Sequence, residues 1–158
     1  MKSQWRNDTQ LKVSTEVLNA LQKVVSRIND LAYLPGKEGD DAENAWSALV
    51  ASVMEWHNVR HAALLVGSPR IVALLQEIDE QSESLTNRAR AKQWTLVEFR
   101  RERDSISRLA ADFLDAVRAE TGWPPLQLKA LRWIDMRNED WLVADTARRT
   151  GNPPPPES

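Results

Sequence analysis

The sequence contains no cysteine, which excludes disulfide bonds, thiolate metal sites and cysteine nucleophiles. Glycine is scarce, at five residues, and four of the eight prolines are clustered at 153–156. Few helix breakers therefore interrupt the body of the chain. This distribution favours a small number of long helices over many short strands.

The sequence also lacks long apolar runs and an excess of positive charge. No stretch approaches the roughly 18 apolar residues of a membrane span, and the first residues show no apolar signal-peptide core. The net charge of −2 disfavours general nucleic-acid affinity, which needs a basic surface. Neither a Gly-x-Ser-x-Gly elbow nor a glycine-rich phosphate loop is present. We therefore expect a cytoplasmic, non-enzymatic protein without a cofactor.

Four segments carry apolar residues at the three- and four-residue spacing of an amphipathic helix. The rows of the first and fourth segments are Val17, Leu21, Val24, Ile28 and Leu31, then Phe99, Ile106, Leu109, Phe113 and Val117. The second and third rows are Trp46, Leu49, Val53, Trp56 and Ala63, then Ile71, Leu75, Ile78 and Leu85. These rows predict helix boundaries near 35–41, 67–68, 91–95 and 122–125.

Capping residues lie at the predicted boundaries. Gly67 is expected to close the second helix in the left-handed conformation, and Ser68 and Pro69 to begin the third. Thr95, with Glu98 three residues later, forms a capping-box pattern for the fourth helix, and Gly122 ends it.

Long helices with short connections predict an all-α fold, an antiparallel up-down four-helix bundle. The bundle core is expected to span 1–122. A C-terminal helix at 123–150 would pack on the bundle or extend from it, and 151–158 would be a disordered, proline-rich tail.

The two histidines, His57 and His61, are four residues apart and share a helix face. No metal site is predicted, because Met54 and Asn58 occupy the positions where the Glu-x-x-His motif of bundle metal sites has glutamate. Folding the helices back on one another instead places five polar residues at one height in the bundle. They form either ordinary flanking ion pairs or a polar layer with a small pocket: Glu16, His57, Arg60, Asp79 and Asp112.

A basic turn connects the third and fourth helices. It is a solvated surface, a contact for a protein partner, or a site for a polyanion or membrane headgroup. Its residues are Arg88, Arg90, Lys92, Trp94, Arg100, Arg101 and Arg103.

Tryptophan usage is lopsided, with seven tryptophans against one tyrosine and two phenylalanines. Several lie at turns or in the last segment, where large amphipathic rings are typical of protein contacts. The sequence therefore favours an interaction module that binds a protein partner or a second copy of itself. The alternatives are a polyanion binder using the basic turn and a small-molecule or metal-binding bundle using the His57 layer.

The run from Leu64 to Val72, followed by Phe99 and the run from Phe113 to Gly122, resembles a group of uncharacterised bacterial helical proteins. Members of that group often carry these helices behind an N-terminal membrane anchor, which this sequence does not display. The resemblance implies a helical bundle and transfers no catalytic residue.

Overall fold

The computed structural model describes residues 4–34, 39–91 and 95–124. Within those ranges the chain is all helical, without a strand. The helices are α1 (Gln4–Ala32), α2 (Asp40–Val66), α3 (Pro69–Ala91) and α4 (Leu96–Glu120). The predicted boundaries between these helices are confirmed, whereas the predicted C-terminal helix and proline-rich tail lie outside the described residues.

The predicted apolar rows form the core. All five residues of the α1 row are buried, and so are all four of the α3 row. In α2 and α4, Leu49, Trp56, Phe99, Ile106 and Phe113 join the same cluster. Helix α1 contacts each of the other three helices, whereas α2 and α4 have no close backbone contact in the described ranges. Burial of these apolar side chains is the main favourable contribution to folding.

Two side-chain pairs show the direction of α3 relative to α2. The Arg90 guanidinium lies 4.2 Å from the centroid of the Trp46 ring, and the Asp79 carboxylate accepts a hydrogen bond from Trp56. Residue numbers increase along α2 as they decrease along α3, so the two helices are antiparallel. The reversal takes only Gly67 and Ser68.

The cap predictions for Ser68, Pro69 and Thr95 are confirmed. The Ser68 hydroxyl accepts the Ile71 backbone N–H at 3.3 Å, and α3 begins at Pro69. Thr95 and Glu98 form a reciprocal capping box, with both hydrogen bonds at 3.2 Å. These local hydrogen bonds satisfy N–H groups that the first turn of a helix leaves without partners.

The prediction of a left-handed Gly67 is wrong. Gly67 has φ −84° and ψ 151°, an extended conformation open to any residue. Glycine is needed there because the chain packs tightly: an added Cβ would lie 2.8 Å from Ile71 Cγ2 and 3.0 Å from the Ala63 carbonyl oxygen. At the end of α4, by contrast, Gly122 does have a positive φ, at 84°. There the Trp123 N–H donates to the Arg118 carbonyl at 2.7 Å, the signature of a Schellman cap.

Candidate functional site

Three of the predicted polar-layer residues meet between α2 and α3. The buried Trp56 indole donates its N–H to Asp79 Oδ1 at 2.8 Å, and Arg60 Nε lies 3.7 Å from the same oxygen. Arg60 Nη2 is also 3.3 Å from His57 Nδ1. The result is a half-buried chain of polar groups that runs from His57 through Arg60 and Asp79 to the core tryptophan.

A cleft of about 230 Å³ opens beside this cluster, between α1, α2 and α3. Trp56, His57 and Asp79 form part of its wall, and Ser82 lies in it with 4% of its surface exposed. The Ser82 hydroxyl has no hydrogen-bond partner in the described part of the chain. By contrast, the Ser52 hydroxyl donates to the Leu49 carbonyl at 2.9 Å. The cleft therefore combines an aromatic wall with one unpaired hydroxyl.

The other two predicted members of the layer lie elsewhere. Glu16 on α1 and Asp112 on α4 have exposed side chains, and neither is bonded to the cluster. Their height along the bundle was inferred from chain length, but the face a residue occupies is set by helix rotation, about 100° per residue. Height alone cannot bring two side chains together.

The two histidines differ in environment. His57 is half-buried beside Arg60, whereas His61 is exposed on the outside of α2. Across the described ranges, no group of three or more His, Asp or Glu side chains is arranged to hold a metal ion.

The basic turn is less available for binding a partner or a polyanion than its sequence indicates. Arg88 Nη1 pairs with Glu102 Oε2 at 2.6 Å, and Arg90 stacks on Trp46. Arg101 is exposed and Arg100 is half-buried. The remaining two predicted contact residues, Lys92 and Trp94, lie outside the described residues.

The expectation that the basic turn is exposed is wrong for Arg103, because its side chain is completely buried. Its guanidinium carbon lies 5.7 Å from the centroid of the Phe99 ring. The sequence carried a signal for this position: Arg103 stands between Phe99 and Ile106 at the spacing of the core row. An arginine in that register belongs to the interior and contributes little to a surface site.

Tyr33 joins the end of α1 to the beginning of α4 near this buried arginine. Its hydroxyl donates to the Thr95 carbonyl at 3.1 Å, and its ring meets Phe99 edge-on, with centroids 5.8 Å apart. Burial raises the pKa of the Tyr33 phenol above its usual range, although nearby Arg100 and Arg103 oppose the shift.

A surface that the sequence analysis missed runs along the outside of α2, and we call it the α2 outer face. All its side chains are exposed and none is Asp, Glu, Lys or Arg. Met54 is 63% exposed, Leu65 is 87% exposed and Val50 is 40% exposed. The face consists of Ser47, Val50, Ala51, Met54, Asn58, His61, Ala62 and Leu65.

The other helices present charged outer faces. The exposed row of α4 is Arg101, Asp104, Arg108 and Asp112, and that of α1 includes Asp8, Lys12, Glu16, Lys23 and Arg27. Between Asn44 and Val66, α2 contains only Glu55 and Arg60 as charged residues. That scarcity of charge was the sequence signal for a helix whose outer side is uncharged.

Comparison of the chain with protein-family models, curated proteins and solved structures finds no match. None of the four described helices combines the length and apolarity needed to cross a membrane.

Proposed function

We propose that this chain is a non-enzymatic interaction module and that the α2 outer face is its docking surface for a helix of another protein. The observation that carries the proposal is an exposed, uncharged face bearing Val50, Met54 and Leu65, on one helix of a bundle whose other outer faces are charged. Large apolar side chains exposed together on one face are typical of protein contacts.

The two charged residues of α2 between Asn44 and Val66 are already paired within the chain. Glu55 lies 3.2 Å from Lys23 of α1, and Arg60 is held by Asp79 of α3. A partner would therefore gain little from ion pairs here and would be recognised by apolar contact. The complementary partner is an amphipathic helix that brings an uncharged stripe at three- and four-residue spacing.

Photo-crosslinking in the host cell tests this function, because it traps contacts that are too brief to survive purification. A photoreactive amino acid replaces Met54 or Leu65 in the full chain, and the crosslinked peptides are mapped by mass spectrometry. We expect both positions to crosslink to one amphipathic segment of the same partner protein.

The control variant carries the photoreactive residue at Glu80, which is exposed on α3. Crosslinks to other proteins at equal yield from Glu80 and from the two α2 positions would contradict the proposal. So would mapped peptides that share no apolar stripe.

Binding of a polyanion through the basic turn has less support. Arg103 is buried, Arg88 is paired with Glu102, and Arg90 is stacked on Trp46. These contacts leave fewer free guanidinium groups for phosphate than the sequence suggests.

A small-molecule site in the cleft is the second candidate, favoured by the unpaired Ser82 hydroxyl beside the Trp56 ring. The indole N–H of Trp56 gives an NMR signal that the Trp56→Phe variant assigns. Ligands of the cleft should shift that signal in a fragment screen. Ligands that shift it equally in Ser82→Ala would rule out a role for the hydroxyl.

The order of the helices and the architecture of the C-terminal region are also proposals. We infer an antiparallel up-down order for all four helices and an additional C-terminal helix within 123–150, followed by an extended tail. A cytoplasmic location and kinship with the bacterial helical proteins are proposed on the sequence patterns alone.

A further inference from the structure

The cleft between α1, α2 and α3 has one polar wall and one largely apolar wall. All the residues that α3 contributes to it are polar, and two of them are carboxylates: Asp79, Ser82, Glu83 and Thr86. Opposite them lie Val24 of α1 with Val53 and the Trp56 ring of α2. A ligand that fills this cleft therefore needs a polar side and an apolar side.

The Ser82 hydroxyl is a polar group of this wall that the fold itself does not use. Serine and threonine side chains within a helix can hydrogen-bond to the carbonyl one turn earlier. Thr86 Oγ1 donates in this way to the Ser82 carbonyl at 2.8 Å, and Ser52 Oγ donates to the Ala48 carbonyl at 3.1 Å. The Ser82 hydroxyl has no hydrogen bond with any residue that the structure describes, although only 4% of this residue is exposed. Such a buried hydroxyl costs free energy until a bound molecule pairs with it.

The side chains around the cleft leave one negative charge without a partner. Asp79 pairs with Arg60 at 3.7 Å, so these two charges offset each other. Because an arginine only donates, the His57 Nδ1 atom 3.3 Å from Arg60 accepts, and this imidazole is the neutral form with its proton on Nε2. Glu83 is exposed and forms no ion pair within the described ranges. The remaining charge of the cleft is therefore that of Glu83, and it favours a cation.

The volume of the cleft limits the size of the ligand. An apolar cavity of about 150 Å³ binds one benzene molecule. The cleft, at about 230 Å³, is large enough for one ring with a short chain. Pockets for drug-sized ligands have about 300 to 1,000 Å³. The volume therefore favours a small amphipathic molecule over a nucleotide or a large cofactor.

We propose that the cleft binds a small organic cation, a primary ammonium group on an apolar body of about one ring. Its N–H groups donate to the Ser82 oxygen and the Glu83 carboxylate. Its body packs on Val24, Val53 and Trp56. This inference rests on the second candidate function, the small-molecule site, and names the ligand class of that site. It is independent of the docking function of the α2 outer face.

Three molecules that share one ring and differ in charge test the ligand class: phenethylamine, phenethyl alcohol and phenylacetate. Each is titrated into the full chain at neutral pH and low salt, and the shift of the Trp56 indole N–H signal gives the dissociation constant. We expect the amine to bind about fivefold more tightly than the alcohol, because the amine alone has a charge opposite to that of Glu83. Phenylacetate should bind more weakly than the alcohol.

Glu83→Gln tests whether this carboxylate selects the cation. The variant should bind the amine about fivefold more weakly and the alcohol with unchanged affinity. Glu80→Gln is the matched control, because Glu80 is exposed on the same helix outside the cleft, and it should change neither affinity. Added salt should weaken amine binding to the wild type as Glu83→Gln does, because it screens an exposed charge.

Ser82→Ala tests the hydroxyl through stability and binding together. Because the hydroxyl is unpaired, its removal should leave the melting temperature of the free protein at or above the wild-type value, while the affinity for the amine falls about fivefold. Ser84→Ala, on an exposed residue of α3 outside the cleft, should change neither quantity. A lower melting temperature with unchanged amine affinity would assign the hydroxyl to the fold and overturn its role in binding.

These outcomes separate the ligand class from the site itself. Equal affinity for the amine and the alcohol, or amine binding that Glu83→Gln does not weaken, would overturn the cation and preserve a site for neutral ligands. The absence of a saturable shift with all three molecules would overturn both the ligand class and the site. Neither result bears on crosslinking from Met54 or Leu65, which tests the docking function.

Discussion

Trp56 of α2 donates its indole N–H to the Asp79 carboxylate of α3 over 2.8 Å, although only 1% of the tryptophan is exposed. The same carboxylate oxygen lies 3.7 Å from Arg60 Nε. One acidic side chain thus accepts the hydrogen bond of a buried donor and forms an ion pair with a half-buried cation, and it links α2 to α3 next to the cleft.

Asp79→Ala should lower the free energy of unfolding by about 1 to 3 kcal/mol, because it leaves the Trp56 N–H without its partner inside the protein. Trp56→Phe removes that donor, so the two changes combined should cost less than their sum by about 1 kcal/mol. Urea unfolding of both single variants and the double variant measures this coupling. Exposed Glu80→Ala is the control and should change stability by less than about 0.5 kcal/mol. Strict additivity would mean that the hydrogen bond contributes nothing.

Gly67→Ala should destabilise the protein by about 1 to 3 kcal/mol through overpacking, since the new Cβ would press on Ile71 Cγ2 and the Ala63 carbonyl. Leucine lacks a Cγ2 atom, so Ile71→Leu should recover part of this loss in the double variant. Thermal unfolding of the two single variants and the double variant tests the contact. A Gly67→Ala variant that melts at the wild-type temperature would contradict the close approach of Gly67 to Ile71.

Arg103→Gln should lower the free energy of unfolding by about 2 to 4 kcal/mol, because it removes a completely buried side chain that packs over Phe99. Arg101→Gln, two residues earlier and exposed, is the matched control and should cost less than about 0.5 kcal/mol. Guanidinium chloride unfolding compares them. Equal stabilities would place Arg103 at the surface and restore the basic turn as a binding site.

Alkaline pH should weaken the contact between α1 and α4 through Tyr33. Its pKa is raised above the ordinary value of 10.0 in the folded chain, so between the unfolded and folded pKa values the folded state binds more protons than the unfolded state. This contribution is present below pH 10 and is lost as pH rises further. The stability of the wild type should therefore fall above pH 10 more steeply than that of Tyr33→Phe. Parallel pH profiles from urea unfolding would show that the phenol does not titrate differently on folding.

The number of helices and their boundaries could be predicted from the sequence because those signals are local. The three- and four-residue spacing of Val17, Leu21 and Val24 defines a buried face within one helix. The capping pattern of Thr95 and Glu98 needs only four residues, and so does the serine cap before Pro69.

Which side chains meet between helices depends on how each helix is rotated about its axis. Distances along the chain do not give that rotation. His57, Arg60 and Asp79 meet, whereas Glu16 and Asp112, placed at the same height, face solvent on other helices. The backbone conformations of Gly67 and Gly122 could not be predicted from the sequence for the same reason. Both follow helices, but Gly122 alone is left-handed, while Gly67 is selected by the side chain of Ile71.

The sequence by itself thus determined which residues form helices and which face of each helix is apolar enough to be buried. Tertiary structure decided what each face meets: Arg103 enters the core, and the uncharged outer side of α2 is left to solvent among the described residues. The physical reason is that helix formation and capping depend on neighbours within about four residues, whereas burial depends on how four helices share a limited number of contacting sides.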